Sequence, residues 1–432
     1  MKPTGITFPS GGRLLVLVGL VLVALFVLLA RIDDISIRIP TLIGIVALLF
    51  SLYAVSISLV SHSVLPRRVT LIIVFAVALA GRLALVGSTP ALSDDIHRYL
   101  WEGRVVHDGG NPFLHPPNSE SLVHLRDSDF SRINHPHLAT IYPPLAQWAF
   151  YLGVAIAPSV ATQKSLFLIF DIATLILLAV FLRSRGRDPA LCIVYGWSPL
   201  VVIEFAHSGH MDSLAIFFLM LTIFLIDCRR PVLGYASMAL SFLAKYFSLV
   251  LLPYFLVRKR SIVGFMVFGF LVVLGYLPFA DASAGFFSSL RVYGESWNFN
   301  SLLFSLSRGI IDDPVWIRRV LAAAGIVFAV YQAVRQEDLL RYAYVVTGFA
   351  LLISPTVYPW YLCWIVPFLC FFRSRAWIYL TGAIFVSYTV WTVFRETGVW
   401  QVGWWMLLVE YVPFAVLLVY DYLRVDRKER AR

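Results

Sequence analysis

The chain has 432 residues, of which 59% are hydrophobic and only 14% are Asp, Glu, Lys or Arg, and its mean hydropathy is +0.80. Soluble globular domains carry roughly 25% charged residues, so this composition excludes them. With 26 Gly, 22 Pro and no short repeat, disorder and fibrous repeats are excluded too.

A bilayer-crossing helix needs ~20 mostly apolar residues. In chain order such runs fall at about 14–30, 41–60, 70–87, 163–182, 189–206, 213–228, 232–257, 261–279, 315–334, 339–354, 360–372, 376–394 and 402–423. The 232–257 run contains Lys245 and Pro253, and is either one tilted helix or two shorter ones meeting at Lys245. The expected fold class is therefore an all-α polytopic membrane protein of about 13 or 14 spans, with residues 1–432 as a single integral membrane domain. The first run is long, lacks a small-residue cleavage site before Arg31 and is followed by further spans, so it reads as a retained helix and not as a signal peptide. Cys192, Cys228, Cys363 and Cys370 lie in or beside apolar runs without a CxxC pair and read as small hydrophobes.

Short loops rich in Lys and Arg mark the cytoplasmic side. The clusters are Arg67 and Arg68; Arg183, Arg185 and Arg187; Arg229 and Arg230; Arg258, Lys259 and Arg260; Arg373 and Arg375; and the tail Arg424–Arg432. All share one side if 232–257 is two half-length helices. That assignment puts both termini in the cytoplasm of a cell with the chain in its inner or plasma membrane. It also accounts for the +10 net charge without a nucleic-acid partner.

The opposite side then holds the chemistry. Segment 88–143, the expected catalytic loop, is far longer than a plain connection. It opens Ser93-Asp94-Asp95-Ile96-His97-Arg98-Tyr99-Leu100-Trp101-Glu102-Gly103-Arg104 and runs through Gly110-Asn111-Pro112-Phe113 to Tyr142-Pro143-Pro144-Leu145. A second outer loop is 280–314, with Trp297-Asn298-Phe299-Asn300. Between them come His207-Ser208-Gly209-His210-Met211-Asp212 and, later, Ser354-Pro355-Thr356-Val357-Tyr358-Pro359-Trp360-Tyr361.

Ser93 is a good helix cap, Ile96, Tyr99, Leu100, Gly103 and Val106 share one helical face, and Gly109-Gly110 is a fitting stop. Residues 94–108 are thus expected to lie as an amphipathic helix on the membrane surface. Asp94 and Asp95 either offset the dipole of that helix or act as a base or a metal-binding pair where a span emerges. His207 and His210, three apart, and Asp212 either hold ordinary hydrogen bonds and a helix cap or share a metal. Lys245 interrupts an apolar run. A charge buried there costs at least ~2.5 kcal/mol, so it either snorkels to the interface or meets an anionic headgroup. Arg82 and Asp171 could pair, and Glu204 is expected near water. Tyr358, Trp360 and Tyr361 are an interfacial belt or a surface for a lipid chain or sugar.

The Ser-Asp-Asp-Ile-His-Arg-Tyr-Leu-Trp-Glu-Gly-Arg stretch, Gly-Asn-Pro-Phe and Tyr-Pro-Pro-Leu together resemble the first outer loop of membrane glycosyltransferases of the GT-C superfamily. The nearest resemblance is to bacterial polyprenol-phosphate-sugar mannosyltransferase-like proteins, with a more distant one to the catalytic subunit of GPI mannosyltransferase I. Gly-His-Met-Asp, Ala-Lys-Tyr-Phe and Ser-Pro-Thr-Val-Tyr-Pro-Trp-Tyr extend the resemblance over about 88–372. It implies a sugar, with mannose favoured, passing from a polyprenyl-phosphate donor to a lipid or glycan acceptor by inverting transfer at the extracytoplasmic face. Asp95 falls where the second acid of the family's Asp-x-Asp lies and would be the general base. Ser93 occupies the first acid's place, so Asp94 assists from the neighbouring position. The leaving phosphate would meet Lys245, Arg98, Arg104, Arg291 or a metal. Substrate-binding expectations extend to His207, His210, Asp212, Tyr246, Tyr358, Trp360 and Tyr361. The one cofactor candidate is a divalent cation, magnesium or manganese, on Asp94 and Asp95. Membrane lipids are the remaining partners. A transporter or flippase would want an inverted repeat, which the chain does not display. An acyltransferase would use His207 or His210 as its base, and a non-catalytic subunit of a glycosyltransferase complex would need no base at all.

Overall fold

The computed structural model describes residues 10–61, 65–283 and 285–430, so the last two residues of the basic tail lie outside the described residues. Among these the chain is helical without a strand, as the composition implied. Eight helices are long and apolar enough to cross a membrane: Gly12–Ala30, Ile39–Ser61, Arg67–Val86, Val160–Ser184, Ile262–Ala282, Pro314–Arg335, Arg375–Thr397 and Trp404–Leu423. The pair Pro189–Gly196 and Pro199–His207 is apolar enough as well but bent by 58°, the form of a broken span or a re-entrant loop.

This is fewer full spans than the 13 or 14 expected from apolar runs of ~20 residues. Hydropathy registers composition, not continuity, and several runs are interrupted. Pro199 begins a new helix inside the 189–206 run. Lys245 is extended, with φ −157° and ψ 132°, so 232–257 is two pieces: Pro231–Ala244, then a tight turn Tyr246–Leu251 leading into Leu252–Arg258. The 360–372 run curls into the short turns Pro359–Trp364 and Val366–Leu369. Conversely, Pro144–Ile156, which the run count passed over, is an apolar helix.

The bundle has two chemically distinct ends. Helix Asp212–Asp227 has 16 residues, about 24 Å at 1.5 Å per residue. At its far end Asp227 accepts from Arg185 at 2.5 Å, and Arg185 also bonds Asp338 at 2.8 Å. There too Arg258 donates to the carbonyls of Ala333 (3.0 Å) and Val334, and Arg187 to that of Phe371. The near end, with Asp212, lies under the outer segments.

The helix Asp95–His107 departs from its expected place on the membrane surface. Its caps are as expected: the Asp95 N–H donates to Ser93 Oγ at 3.3 Å, and Gly109, at φ +83°, ends it with bonds from Gly110 N–H to Val105 O (2.8 Å) and Gly109 N–H to Val106 O (3.1 Å). However, Ile96 through Gly103 are all buried. One side packs on Pro144–Ile156, where a Cβ on Gly103 would meet the Phe150 carbonyl at 2.5 Å and Tyr99 stacks on Phe150 at 4.6 Å. The other side is covered by the rest of the loop, with Trp101 and Val105 clustered against Leu122 and Ile133. Glu102 ties these parts together, accepting from Arg98 (2.6 Å), Thr140 (2.7 Å) and Gln147 (2.7 Å). Periodicity could show the apolar face of this helix but not that its polar face would also be covered. The Gly-Asn-Pro-Phe piece docks the two outer segments: Asn111 donates to the Phe279 carbonyl (3.3 Å) and to Asp281, and Phe113 packs on Phe279 at 5.2 Å and Phe286 at 5.3 Å.

Deeper in the bundle, Arg82 and Asp171 pair at 2.5 Å, both fully buried. Asp171 also accepts from Tyr195 at 2.7 Å, and Arg82 donates to the carbonyls of Ala78 (3.0 Å) and Gly196 (2.8 Å). This network joins three spans. Asp171→Asn leaves a buried guanidinium unpaired, at a cost of about 3–5 kcal/mol. It is expected to melt well below the wild type in detergent, whereas Arg82→Leu with Asp171→Leu recovers much of the loss. A single variant as stable as the wild type would contradict this role.

Candidate active site

Asp94 and Asp95 sit at the start of their helix, where the outer loop turns back over them. Asn134, from the far limb of that loop, donates its amide to Asp94 Oδ1 at 2.6 Å and lies 3.5 Å from Asp95 Oδ1. The other Asp95 oxygen faces His210, with Oδ2 3.6 Å from Nδ1. The opposite edge of that imidazole, Nε2, is 3.5 Å from Glu204 Oε2, and Glu204 Oε1 accepts from the Tyr388 hydroxyl at 2.9 Å. Glu204, expected near water, is therefore fully buried, because the π-helical turn Ile203–His207 rolls it inward beneath the site.

His207 and His210 do not share a helix face. The π turn and Gly209, at φ +79°, separate them. A Cβ on Gly209 would strike Ile96 at 2.7 Å and Lys164 at 2.9 Å. His207 points away, with Nδ1 2.9 Å from Ser88 Oγ, beside Lys164, whose ammonium donates to the Ser88 carbonyl at 2.6 Å. The shared-metal arrangement of His207, His210 and Asp212 is therefore not formed. Asp212 does not cap its helix by side chain but accepts from Lys245 Nζ and Trp364 Nε1, both at 2.6 Å.

Lys245 reaches this point because its backbone is extended at the break between two half-helices. Its ammonium also sits 4.8 Å over the Tyr361 ring. Tyr361 shares a 2.6 Å hydroxyl contact with Tyr293 of the second outer segment. Trp360 stacks on His210 at 4.0 Å, Tyr358 on Trp360 at 4.5 Å and Phe299 on Tyr358 at 4.5 Å, a continuous column of rings ending beside His210. Tyr246 points to the other side of Lys245, where its hydroxyl meets that of Tyr276 at 2.7 Å and its ring nears Phe242 and Phe287.

Asp94, Asp95, His210, Asp212, Lys245, Tyr358, Trp360 and Tyr361 thus converge. Arg98, Arg104 and Arg291 do not. Arg98 is spent on Glu102 and on the Leu138 carbonyl at 2.7 Å, Arg104 on Asp127, and the exposed Arg291 on Glu295 at 2.9 Å. Asn134, Tyr293, Trp364 and Tyr388 were not identified from the sequence, which contains no local signal for them. Glu204 carried the signal of an ionisable residue inside an apolar run. Between the two carboxylates lies a donor, the Asn134 amide, and no third His, Cys, Asp or Glu completes a metal-holding group among the described residues. This set does not fit a divalent-cation cage made by protein ligands alone.

Burial, reinforced by the charge of Asp94, pushes the Asp95 carboxyl up to about 7 against the pull of Lys245 and Asn134. Asp94 is also raised, chiefly by burial. Burial, then the Lys245 charge, holds the His210 imidazole well below its usual range. The site is therefore a proton acceptor poised near neutrality, beside a cation held by Asp212. An unfolded Asp95 ionises near 3.8 and the folded one near 7, so stability contributed by this group is present at low pH and is lost as pH rises through that window. Asp95→Asn is accordingly expected to raise the Tm at pH 8, with a gain that shrinks toward pH 5. A lower Tm at both pH values would contradict the assignment.

A family model described as alpha-(1->6)-mannopyranosyltransferase, N-terminal domain, matches residues 21–259. No curated protein matches the chain. The matched stretch holds Asp94, Asp95, Glu204, His210, Asp212 and Lys245, while the aromatic column lies beyond it. With more than half of its 432 residues matched by that model and an acid–cation site inside the matched part, the chain belongs to the alpha-(1->6)-mannopyranosyltransferase family and is a membrane glycosyltransferase of the mannosyl-transfer class.

Proposed function

We propose that this chain moves a mannosyl unit from a polyprenyl-phosphate donor to a hydroxyl of a lipid or glycan acceptor at the extracytoplasmic face, with inversion and with Asp95 as general base. The observation that carries this is the meeting of a carboxyl tuned to about 7 with Lys245, whose charge acts on it directly. Asp95 takes the proton of the acceptor hydroxyl as that oxygen attacks the anomeric carbon. The bond from that carbon to the phosphate oxygen breaks, and polyprenyl phosphate leaves with the electron pair. A single displacement of this kind gives the α-linkage of the family's description from a β-linked donor.

Each group has a physical task. His210 and Asn134 face the two oxygens of Asp95, at 3.6 Å and 3.5 Å, and His210 stacks on Trp360 with Glu204 3.5 Å from its far edge. Asp94 raises the proton affinity of Asp95 by like charge. Lys245, aimed by Asp212, stabilises the charge that develops on the leaving phosphate. Phe242, Tyr246, Tyr276 and Phe287 give an apolar wall beside Lys245 suited to a long isoprenoid chain. The arginine-rich end of the bundle, a helix length from the site, supports placing the site outside and that end in the cytoplasm of a cell-membrane protein.

Purified protein supplied with polyprenyl-phosphate mannose and a mannoside or lipid acceptor tests this. Asp95→Asn is expected to reduce turnover about 10²–10⁴-fold, the usual worth of a general base, and Lys245→Gln about 10²–10³-fold, as for one lost oxyanion donor. The kcat/KM of the wild type should fall below pH 7 as Asp95 protonates, and Asp94→Asn should move that limb to lower pH because a raising charge is gone. Turnover unaffected by Asp95→Asn would remove the base assignment, and a purified wild type without turnover would favour a non-catalytic subunit.

A further inference from the structure

A cavity of about 1020 Å³ lies away from the active site, between helix Ile39–Ser61, helix Arg375–Ala383 with its continuation, and the last helix. Ile43, Ala47, Phe50, Ala54, Ile57 and Ser61 line one wall. Their spacing alternates four and three, so they form one continuous helix face. Eighteen residues separate its ends, about 27 Å of helix, close to the full hydrocarbon thickness of a bilayer. Such a face normally receives side chains from a neighbouring helix. Here the opposite wall comes close at Gly382, where an added Cβ would meet the Phe50 ring at 3.0 Å, and the cavity opens on either side of that contact.

One end of the cavity differs from the rest. At the Ser61 end the lining turns polar, with Arg373, Ser374 and Arg375, and both arginines are exposed. Neither is in an ion pair among the described residues. Arg375 places its guanidinium 5.0 Å over the Tyr420 ring. Asp421, the acid in the lining, is already engaged: one carboxylate oxygen accepts from Ser374 Oγ (3.0 Å) and from the backbone N–H of Arg375 (2.7 Å) and Ala376 (3.3 Å), capping that helix. Arg67 and Arg68, exposed at the start of the next span, add positive charge at the same end of helix Ile39–Ser61.

We propose that this groove is a binding site for an anionic phospholipid of the leaflet at the arginine-rich end. The acyl chains lie along the Ile43–Ser61 face, and the phosphate is held by Arg373 and Arg375. Charge selects the class. A basic pocket between spans on the cytoplasmic side favours anionic headgroups, and the apolar wall favours any acyl chain equally, so selectivity resides in the two arginines. The site is separate from the catalytic chemistry and does not rest on it.

Native mass spectrometry of the detergent-purified chain with phosphatidylglycerol or phosphatidylcholine of identical acyl chains tests this. Wild-type protein is expected to retain phosphatidylglycerol preferentially, by about 30-fold if each arginine contributes its usual share near a membrane surface. Arg373→Gln with Arg375→Gln should abolish the preference while weak retention of both lipids persists. Ala54→Trp, which fills the groove and keeps both arginines, should lower retention of both lipids. Melting curves in the same detergent establish that the variants are folded. Equal retention of the two lipids by the wild type, retention unchanged in both variants, or a lipid-free dimer whose interface covers this face would overturn the proposal.

Discussion

Charge kept from water organises this chain. A charged side chain in the bilayer costs at least ~2.5 kcal/mol, and a buried one is tolerated where a partner and further hydrogen bonds surround it. Arg82 has Asp171, Lys245 has Asp212 and Arg98 has Glu102, and each of these pairs joins segments distant in the chain or braces the loop that covers the site. Asp95 is treated differently. Its neighbours are a second carboxylate, a buried imidazole and an amide, and the cation that acts on it, Lys245, is already bonded to Asp212. The incomplete compensation lifts its proton affinity to near neutrality, where a general base works best.

The outer segments give this tuning its surroundings. If the Asp95 helix lay on the membrane surface, both acids would face bulk water and behave as ordinary carboxylates. The Asn134 limb, Pro144–Ile156 and the Asn111–Phe113 anchor on Phe279, Asp281 and Phe286 enclose it instead. The same anchor brings the second outer segment over the site, where Tyr293 meets Tyr361 and Phe299 completes the aromatic column. The Gly-Asn-Pro-Phe element therefore contributes to the site by docking the two segments: Asn111 bonds the Phe279 carbonyl and Asp281, and Phe113 packs on Phe279 and Phe286.

Irregular backbone supplies the remaining geometry. The extended Lys245 between two half-helices, the π turn before His207 and the left-handed Gly209 each place a polar side chain where a regular helix would have pointed it elsewhere. Non-helical backbone at membrane depth is tolerated where protein surrounds it: the π turn and Gly209 are buried in the bundle, and Lys245 is half-buried beside Asp212 and Tyr361. The bend at Pro199 and the turns of 359–369 follow the same pattern, which is why apolar runs outnumber full spans.

The amino-acid sequence by itself determined that the chain is a helical membrane protein, which loop ends are basic, and that Asp94, Asp95, Lys245 and Tyr358–Tyr361 stand out. Those features are local: hydropathy over ~20 residues, a charge inside an apolar run, a cluster of rings beside prolines. Only the tertiary structure decided that Asn134 bridges the two acids, that Glu204 and Tyr388 back His210, that His207 turns away, and that Arg98 and Arg104 brace the loop. Each of these depends on side chains from segments far apart in the chain, or on a turn whose direction is set by what packs around it, and no window of sequence records which segments will meet.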